Sequence, residues 1–242
     1  MSIAQGLPPT SAATPRPAQP TGADVLIGLA LSAGLFVLVA IGIGLAQVMR
    51  PGAWLTGPWG LLLQLALANA VLAVAALAVA ARRGWAVFQF NPLPARTLML
   101  CAMGGAAGGI SLAFLLSVVS EATGIPLHGV NEELMGVDAL PPLGMALFAV
   151  IAAGTTPLVE ELIFRGLLFQ WLRGRLGPVG GALISAVLFG GLHWPSGQAV
   201  WAGLVGFALA LLFHRSGSLW TAVAAHSGNN AMAIILVLTL AM

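Results

Sequence analysis

The sequence is poor in charge, in lysine and in cysteine, and each shortage excludes a class of protein. Charged residues make up 7% of the 242 residues, whereas 59% are hydrophobic and the mean hydropathy is +1.00. A soluble domain is typically about a quarter charged, so the composition indicates a polytopic membrane protein. All nine basic residues are arginine, and so few charges of either sign do not suggest nucleic-acid binding. The single cysteine, Cys101, excludes an intramolecular disulfide and a cysteine-based metal site.

Long apolar runs separated by short polar segments predict an all-α bundle of about seven to eight transmembrane helices. Residues 1–24 are rich in proline, alanine, serine and threonine and predict a disordered tail, followed by one transmembrane domain at 25–242. We expect seven spans, which lie at about 25–49, 60–81, 97–120, 143–172, 179–193, 198–213 and 219–240.

Two short motifs refine this outline. The "GGAAGG" segment at 104–109 offers small residues at which helices can approach closely. The "TTP" segment at 155–157 predicts a break or kink within the fourth span, because proline lacks a backbone N–H. If a helix restarts there, Thr156 is its N-cap and Pro157 its first residue. Residues 121–142 are acidic and predict a loop.

The distribution of arginine predicts the orientation. With seven spans and the N-terminus inside, the cytoplasmic side receives seven arginines, at positions 16, 82, 83, 96, 173, 175 and 215, and the outside receives only Arg50. Arg165 is left within the membrane. Together with the absence of lysine and the abundance of alanine and glycine, this predicts a protein of the bacterial cytoplasmic membrane.

The segment "PLVEELIFRG" at 157–166 places three charges within an apolar run. One charge near mid-membrane costs roughly 2.5 to 3.5 kcal/mol on an insertion scale, so these charges need partners. Glu161 and Arg165 stand four apart with the acid first, the favourable order for a helical ion pair. Glu160 is rotated by about 100° from Glu161 and has no partner on its own helix. An alternative interpretation is a structural ion network that joins two helices.

Further polar residues lie in two other predicted spans. Phe189 and His193 stand four apart in "FGGLH", and His226 and Asn230 stand four apart in "HSGNN". Singly, His193 could be an interfacial cap, and His226 could be a buried, hydrogen-bonded link between helices. Together with Glu160, they form the set that hydrolysis by an activated water requires, namely a carboxylate with imidazoles and an amide donor.

The same side chains raise the alternative of a zinc site. Glu160, His193 and His226 form a known type of catalytic ligand set. Asparagine is a poor zinc ligand, however, and the sequence has no H-E-x-x-H motif. We therefore favour a metal-free site without a cofactor, with zinc as the alternative.

These residues resemble a known family. "EELIFRG", "FGGLH" and "HSGNN" match, in order, the E-E-x-x-x-R, F-x-x-x-H and H-x-x-x-N motifs of the CPBP intramembrane proteases, which include the CAAX prenyl endopeptidases and the Abi-type proteins. The resemblance covers about residues 143–240. It implies a helical bundle with an intramembrane polar cavity and an integral membrane endopeptidase.

The resemblance also implies roles for individual residues. Glu160 and His193 would activate the water, and His226 and Asn230 would form the oxyanion site. Glu161, Arg165 and Phe189 would support the geometry of that site. The expected partners are the lipid bilayer and a membrane-associated peptide or protein substrate, with no nucleic acid. Two other functions stay open at this point: a non-catalytic immunity or scaffold protein of the same fold, and a proton-coupled transporter.

Overall fold

The computed structural model describes residues 19–49, 57–125, 127, 137–193 and 198–240, and these residues form helices without any strand. Helix α1 is Gly22–Met49, α2 is Pro58–Arg83 and α3 is Ala95–Thr123. The long helical segment Pro142–Gly191 folds back at Gly177 into two arms, α4 (142–176) and α5 (178–191). Helix α6 is Gln198–Ser216 and α7 is Leu219–Leu240. Short 3₁₀ turns lie at Trp85–Phe88 and Val137–Ala139.

Within the described residues, each of the seven predicted spans coincides with one helix or arm, and the prediction of a helical membrane bundle is confirmed. Five helical segments there are long and apolar enough to cross a membrane, counting Pro142–Gly191 as one. Helix α7, which carries the polar "HSGNN", is not among those five. The chain thus has the architecture of an integral membrane protein.

The fold-back at Gly177 has a local cause. Gly177 has a φ of 73°, in the left-handed region that glycine adopts without steric cost, and Pro178 cannot donate a helical hydrogen bond. The two arms then run side by side, because Ser185 Oγ of α5 donates to the Phe164 carbonyl of α4 at 3.2 Å.

Of the two alternatives at "TTP", a distorted continuous helix or a new helix that starts at Thr156, the structure has the first. Thr156 has helical dihedral angles (φ −58°, ψ −54°), and α4 passes through it without interruption. The helix accommodates Pro157 with a π-helical segment, Ile151–Thr155, which lies just before the proline, and a second π segment follows at Leu162–Phe169. Inserted π turns are a recognised way for a helix to absorb such a disruption.

Helices α3 and α7 pack backbone against backbone, as the small residues of "GGAAGG" predict. A Cβ atom added at Gly105 of α3 would overlap the Ala225 carbonyl of α7, and one added at Gly228 of α7 would overlap the Ala102 carbonyl of α3. This close contact holds the part of α7 that carries His226 against its neighbour.

The beginning of α1 is anchored to the end of α2. Buried Asp24 accepts the backbone N–H of Thr21 at 2.8 Å and pairs with Arg83 Nε at 3.3 Å. Helix α1 begins at Gly22, so the last three residues of the predicted 1–24 tail are helical. Residues 1–18 of that tail lie outside the described residues, as do 126 and 128–136 of the predicted acidic loop; Glu121 belongs to α3.

Several of the predicted cytoplasmic arginines meet at one end of the bundle. Arg83 Nη2 donates to the Gln19 carbonyl at 3.4 Å, and Arg173 Nη1 contacts His214 Nδ1 at 3.4 Å. The turn after α2 reaches the same end, because Asn91 donates to the Gly217 carbonyl at 2.6 Å. These contacts lie at the ends of α2, α4 and α6 that the predicted orientation assigns to one side of the membrane.

Candidate active site

The centre of the site is a buried ion pair on α4. Arg165 Nη1 donates to Glu161 Oε1 at 2.7 Å, and both side chains have no exposed surface. Arg165 Nη2 also donates to the Gly206 carbonyl of α6 at 2.9 Å. Gly206 leaves the room for this contact, since a Cβ atom there would lie 2.9 Å from Arg165 Nη2. The pairing predicted from the spacing of the two residues is therefore present.

His226 of α7 is joined to both glutamates. Its Nδ1 lies 2.9 Å from Glu161 Oε1, the oxygen that Arg165 also contacts, and its Nε2 lies 3.7 Å from Glu160 Oε2. A carboxylate accepts hydrogen bonds, so Nδ1 carries a proton toward Glu161 and Nε2 faces Glu160. The motif spacing did not indicate the Glu161–His226 contact, because it joins residues 65 apart in the chain.

Glu160 differs from Glu161 in its surroundings. Its side chain is 18% exposed, whereas that of Glu161 is fully buried. Glu160 Oε2 faces His226 Nε2 at 3.7 Å. The structure thus separates the two adjacent carboxylates: one is enclosed by Arg165 and His226, and the other is more accessible and faces His226.

Phe189 of α5 connects the two histidines. Its ring centroid lies 5.1 Å from that of His193 and 5.9 Å from that of His226, and the Arg165 guanidinium carbon lies 4.7 Å from it. His193 Nδ1 also lies 3.0 Å from the Phe189 carbonyl oxygen. The ring therefore packs against three of the polar groups at once.

Asn230 contacts the backbone of α4 rather than a side chain of the cluster. Its Nδ2 donates to the Ala152 carbonyl at 2.9 Å, within the first π segment. Buried Asn229 donates from its own Nδ2 to Asn230 Oδ1 at 3.1 Å, which sets the orientation of the Asn230 amide.

Asn69 of α2 was missed in the sequence. It is buried, and its Nδ2 donates to the Thr156 hydroxyl at 2.8 Å, next to Pro157. The signal was available, since Asn69 interrupts the apolar run "LALANAVLA" and polar residues at membrane depth are rare and functional. Asn69 of α2 thus contacts α4 at Thr156, and Asn230 of α7 contacts the same helix at Ala152.

The zinc alternative finds no support in the arrangement of side chains. Among the residues that the structure describes, no group of three or more histidine, cysteine, aspartate or glutamate side chains is arranged to hold a metal ion. The metal-free site and the intramembrane polar cavity both stay predictions.

The structure therefore defines a membrane helix bundle with a cluster of glutamate, histidine and arginine side chains at its centre. Residues 142–232, which hold every member of that cluster, match the family model described as "Type II CAAX prenyl endopeptidase Rce1-like". This segment is similar to that family, and the resemblance seen in the three motifs is confirmed.

One curated relative supports the same assignment. The protein named "Putative membrane peptidase YdiL" from Bacillus subtilis (strain 168) is 25% identical over 133 residues, which are 54% of this chain and 54% of that protein. The chain spans about half the length of this relative. No solved structure matches the chain.

Proposed function

We propose that this protein is an intramembrane endopeptidase that hydrolyses a peptide bond of a membrane-associated peptide or protein. The observation that carries the proposal is that the Phe189 ring packs on both His193 and His226, while His226 Nε2 lies 3.7 Å from Glu160 Oε2 on a third helix. A bundle that needed only an ion pair for stability would have no use for a second, more accessible carboxylate facing an imidazole. The family match of residues 142–232 supports the same activity.

In the proposed reaction, Glu160 and His193 activate a water molecule. The carboxylate takes a proton as the water oxygen attacks the carbonyl carbon of the substrate, and a tetrahedral oxyanion forms. When that intermediate collapses, the C–N bond breaks and the proton passes to the leaving amine. Glu161 Oε2 is buried and accepts no hydrogen bond from the described residues. An ordered water molecule could donate a hydrogen bond to it.

The oxyanion would be stabilised by His226 and Asn230. Because His226 Nδ1 donates to Glu161, donation from Nε2 to the oxyanion requires the doubly protonated imidazolium. The Asn230 amide has two hydrogens, so donation to Ala152 leaves one for the substrate. A donor of this kind is worth about 3 to 4 kcal/mol of transition-state stabilisation in a dry site.

The location of the protein is part of the proposal. The arginine distribution supports a bacterial cytoplasmic membrane with the N-terminus inside. The substrate class is a peptide segment that reaches the bilayer, and the bilayer itself is the other partner.

The test is proteolysis of candidate membrane substrates by the purified protein in detergent or liposomes. Glu160→Ala, His193→Ala and His226→Ala should each lower the rate by at least about 100-fold while the protein stays folded. Two matched controls lie away from the cluster: Glu121→Ala at the end of α3 and His214→Ala at the end of α6 should cleave at the wild-type rate. Full activity in all three site variants would refute the proposal.

A chelation arm addresses zinc separately. The metal-free mechanism predicts that activity survives exhaustive treatment with a strong chelator and dialysis. Loss of activity that added zinc restores would instead establish a metal-dependent site at Glu160, His193 and His226.

A further inference from the structure

The Ala152 carbonyl is left without a helical donor by two features of the sequence and backbone. In the first π segment, hydrogen bonds join residues five apart, and the Thr156 N–H donates to the Ile151 carbonyl. The next bond in that pattern would run from residue 157 to Ala152. Residue 157 is proline and has no N–H, so the bond is missing.

Asn230 supplies the missing donor. Its Nδ2 donates to the Ala152 carbonyl at 2.9 Å, and Asn229 holds the amide in this orientation by donating to Asn230 Oδ1 at 3.1 Å. In a membrane bundle, an unpaired backbone carbonyl is costly because no water replaces the lost donor. The side chain of one helix therefore completes the backbone of another.

This contact sets the geometry of the cluster. Pro157 lies three residues before Glu160 on α4, and His226 lies one helical turn before Asn230 on α7. The bond from Asn230 to Ala152 therefore ties α4 and α7 together about two turns before Glu160 on α4 and one turn after His226 on α7. It joins the same two helices whose His226 Nε2 and Glu160 Oε2 are 3.7 Å apart.

Side chains also donate to carbonyls of the second π segment. Gln170 Nε2 donates to the Gly166 carbonyl at 2.5 Å and to the Val87 carbonyl at 2.9 Å, and the Ser185 hydroxyl donates to the Phe164 carbonyl. Side chains thus donate hydrogen bonds to backbone carbonyls in both π segments. Asn230 differs from Gln170 and Ser185 because it lies on the helix that also carries His226.

We infer that Asn230 is a positioning residue as well as an oxyanion donor: its amide replaces the backbone N–H that Pro157 lacks and thereby holds Glu160 in register with His226. The inference rests on the proposed protease function for its effect on catalysis. Its effect on the backbone is independent of that function.

The test restores the missing N–H. Asn230→Ala should lower the midpoint of thermal unfolding in detergent by about 4 °C and abolish most of the activity. Pro157→Ala alone should behave much like the wild type. In the double variant Pro157→Ala/Asn230→Ala, the backbone N–H regained at position 157 can donate to Ala152, so the midpoint should return to that of Pro157→Ala. The kcat should rise at least about 10-fold above that of Asn230→Ala and stay below wild type, because the oxyanion donor is still absent.

A matched proline provides the control. Pro142 lies at the start of α4, where the first turn of a helix has no acceptor for its N–H groups, so Pro142→Ala/Asn230→Ala should remain as impaired as Asn230→Ala. The inference is overturned if Pro157→Ala restores neither the midpoint nor kcat.

Two further readouts keep the test decisive. If Pro157→Ala does not fold, hydrogen exchange decides: Asn230→Ala should accelerate exchange in the peptide that covers 151–156, and unchanged exchange there refutes the inference. If no substrate is cleaved by the wild type, the protease proposal fails, whereas the restored midpoint still supports the backbone contact.

Discussion

At the scale of the residue, the decisive feature is the difference between two adjacent glutamates. Glu161 is enclosed by Arg165 and His226 with no exposed surface, and Glu160 is partly exposed and faces His226. The i, i+4 spacing identified the Glu161–Arg165 pair because that contact is local to one helix. The contacts of His226 and Asn230 depend on how α7 packs against α4, which no spacing within either helix specifies.

Arg165 should contribute strongly to the stability of the fold. Arg165→Met leaves the buried Glu161 charge without its strongest partner, and breaking a buried pair costs about 3 to 5 kcal/mol. We expect the unfolding midpoint in detergent to fall by about 10 °C. Arg215→Met, at the exposed end of α6, should leave it unchanged, and an equal midpoint for both variants would contradict the assignment.

Phe189 should matter more for rate than for stability. Phe189→Leu removes the ring that contacts His193, His226 and Arg165, and small displacements of catalytic groups lower rates by about 10- to 100-fold. Phe213→Leu offers a comparison, since Phe213 is also buried but packs on Phe169, outside the cluster. Both variants should lose similar stability, whereas only Phe189→Leu should lose activity per folded molecule. Similar cleavage rates for the two would exclude a positioning role for the ring.

At the scale of the element, close packing of α3 against α7 determines where His226 lies.

Apolar periodicity and breaker residues located each helix to within a few residues. The π segments of α4 were not predictable, because "TTP" suits either a new helix or a distorted continuous one. The outcome depends on whether neighbouring helices supply donors, as Asn69 and Asn230 do here.

The glycines of α3 allow a matched test of this packing. Gly105→Ala would place a Cβ atom onto the Ala225 carbonyl, whereas Gly104→Ala meets nothing within 4 Å. Alanine favours a helix over glycine by about 1 kcal/mol, so Gly104→Ala should be neutral or stabilising. Gly105→Ala should be destabilised by about 1 to 3 kcal/mol and lose activity. Equal thermal stability of the two variants would show that α3 and α7 are farther apart than described.

At the scale of the whole molecule, the bundle joins its turns at one end through arginine and polar contacts. The contacts of Arg83 with Asp24, and of Arg173 with His214, lie among turns that the positive-inside tendency assigns to the cytoplasm. The helix order could be derived from the sequence, and the assignment of sides stays a proposal.

The single cysteine makes that assignment easy to test. In a Cys101→Ala background, Arg82→Cys at the end of α2 and Glu121→Cys at the end of α3 introduce one thiol each. With the N-terminus inside, a membrane-impermeant maleimide should label intact cells only at position 121, and label both positions after the membrane is opened. Labelling of position 82 in intact cells would reverse the orientation.

The two π segments of α4 have a consequence for changes in chain length. A π turn holds one residue more than an α turn, and one residue corresponds to about 100° of rotation around an α-helix. A one-residue deletion within 151–155 could restore regular α-helical bonding. It would also rotate Glu160 about the helix axis relative to residues 142–150, and so turn its side chain away from His226. The number of residues before Pro157 is therefore as much a part of the site as the identity of its side chains.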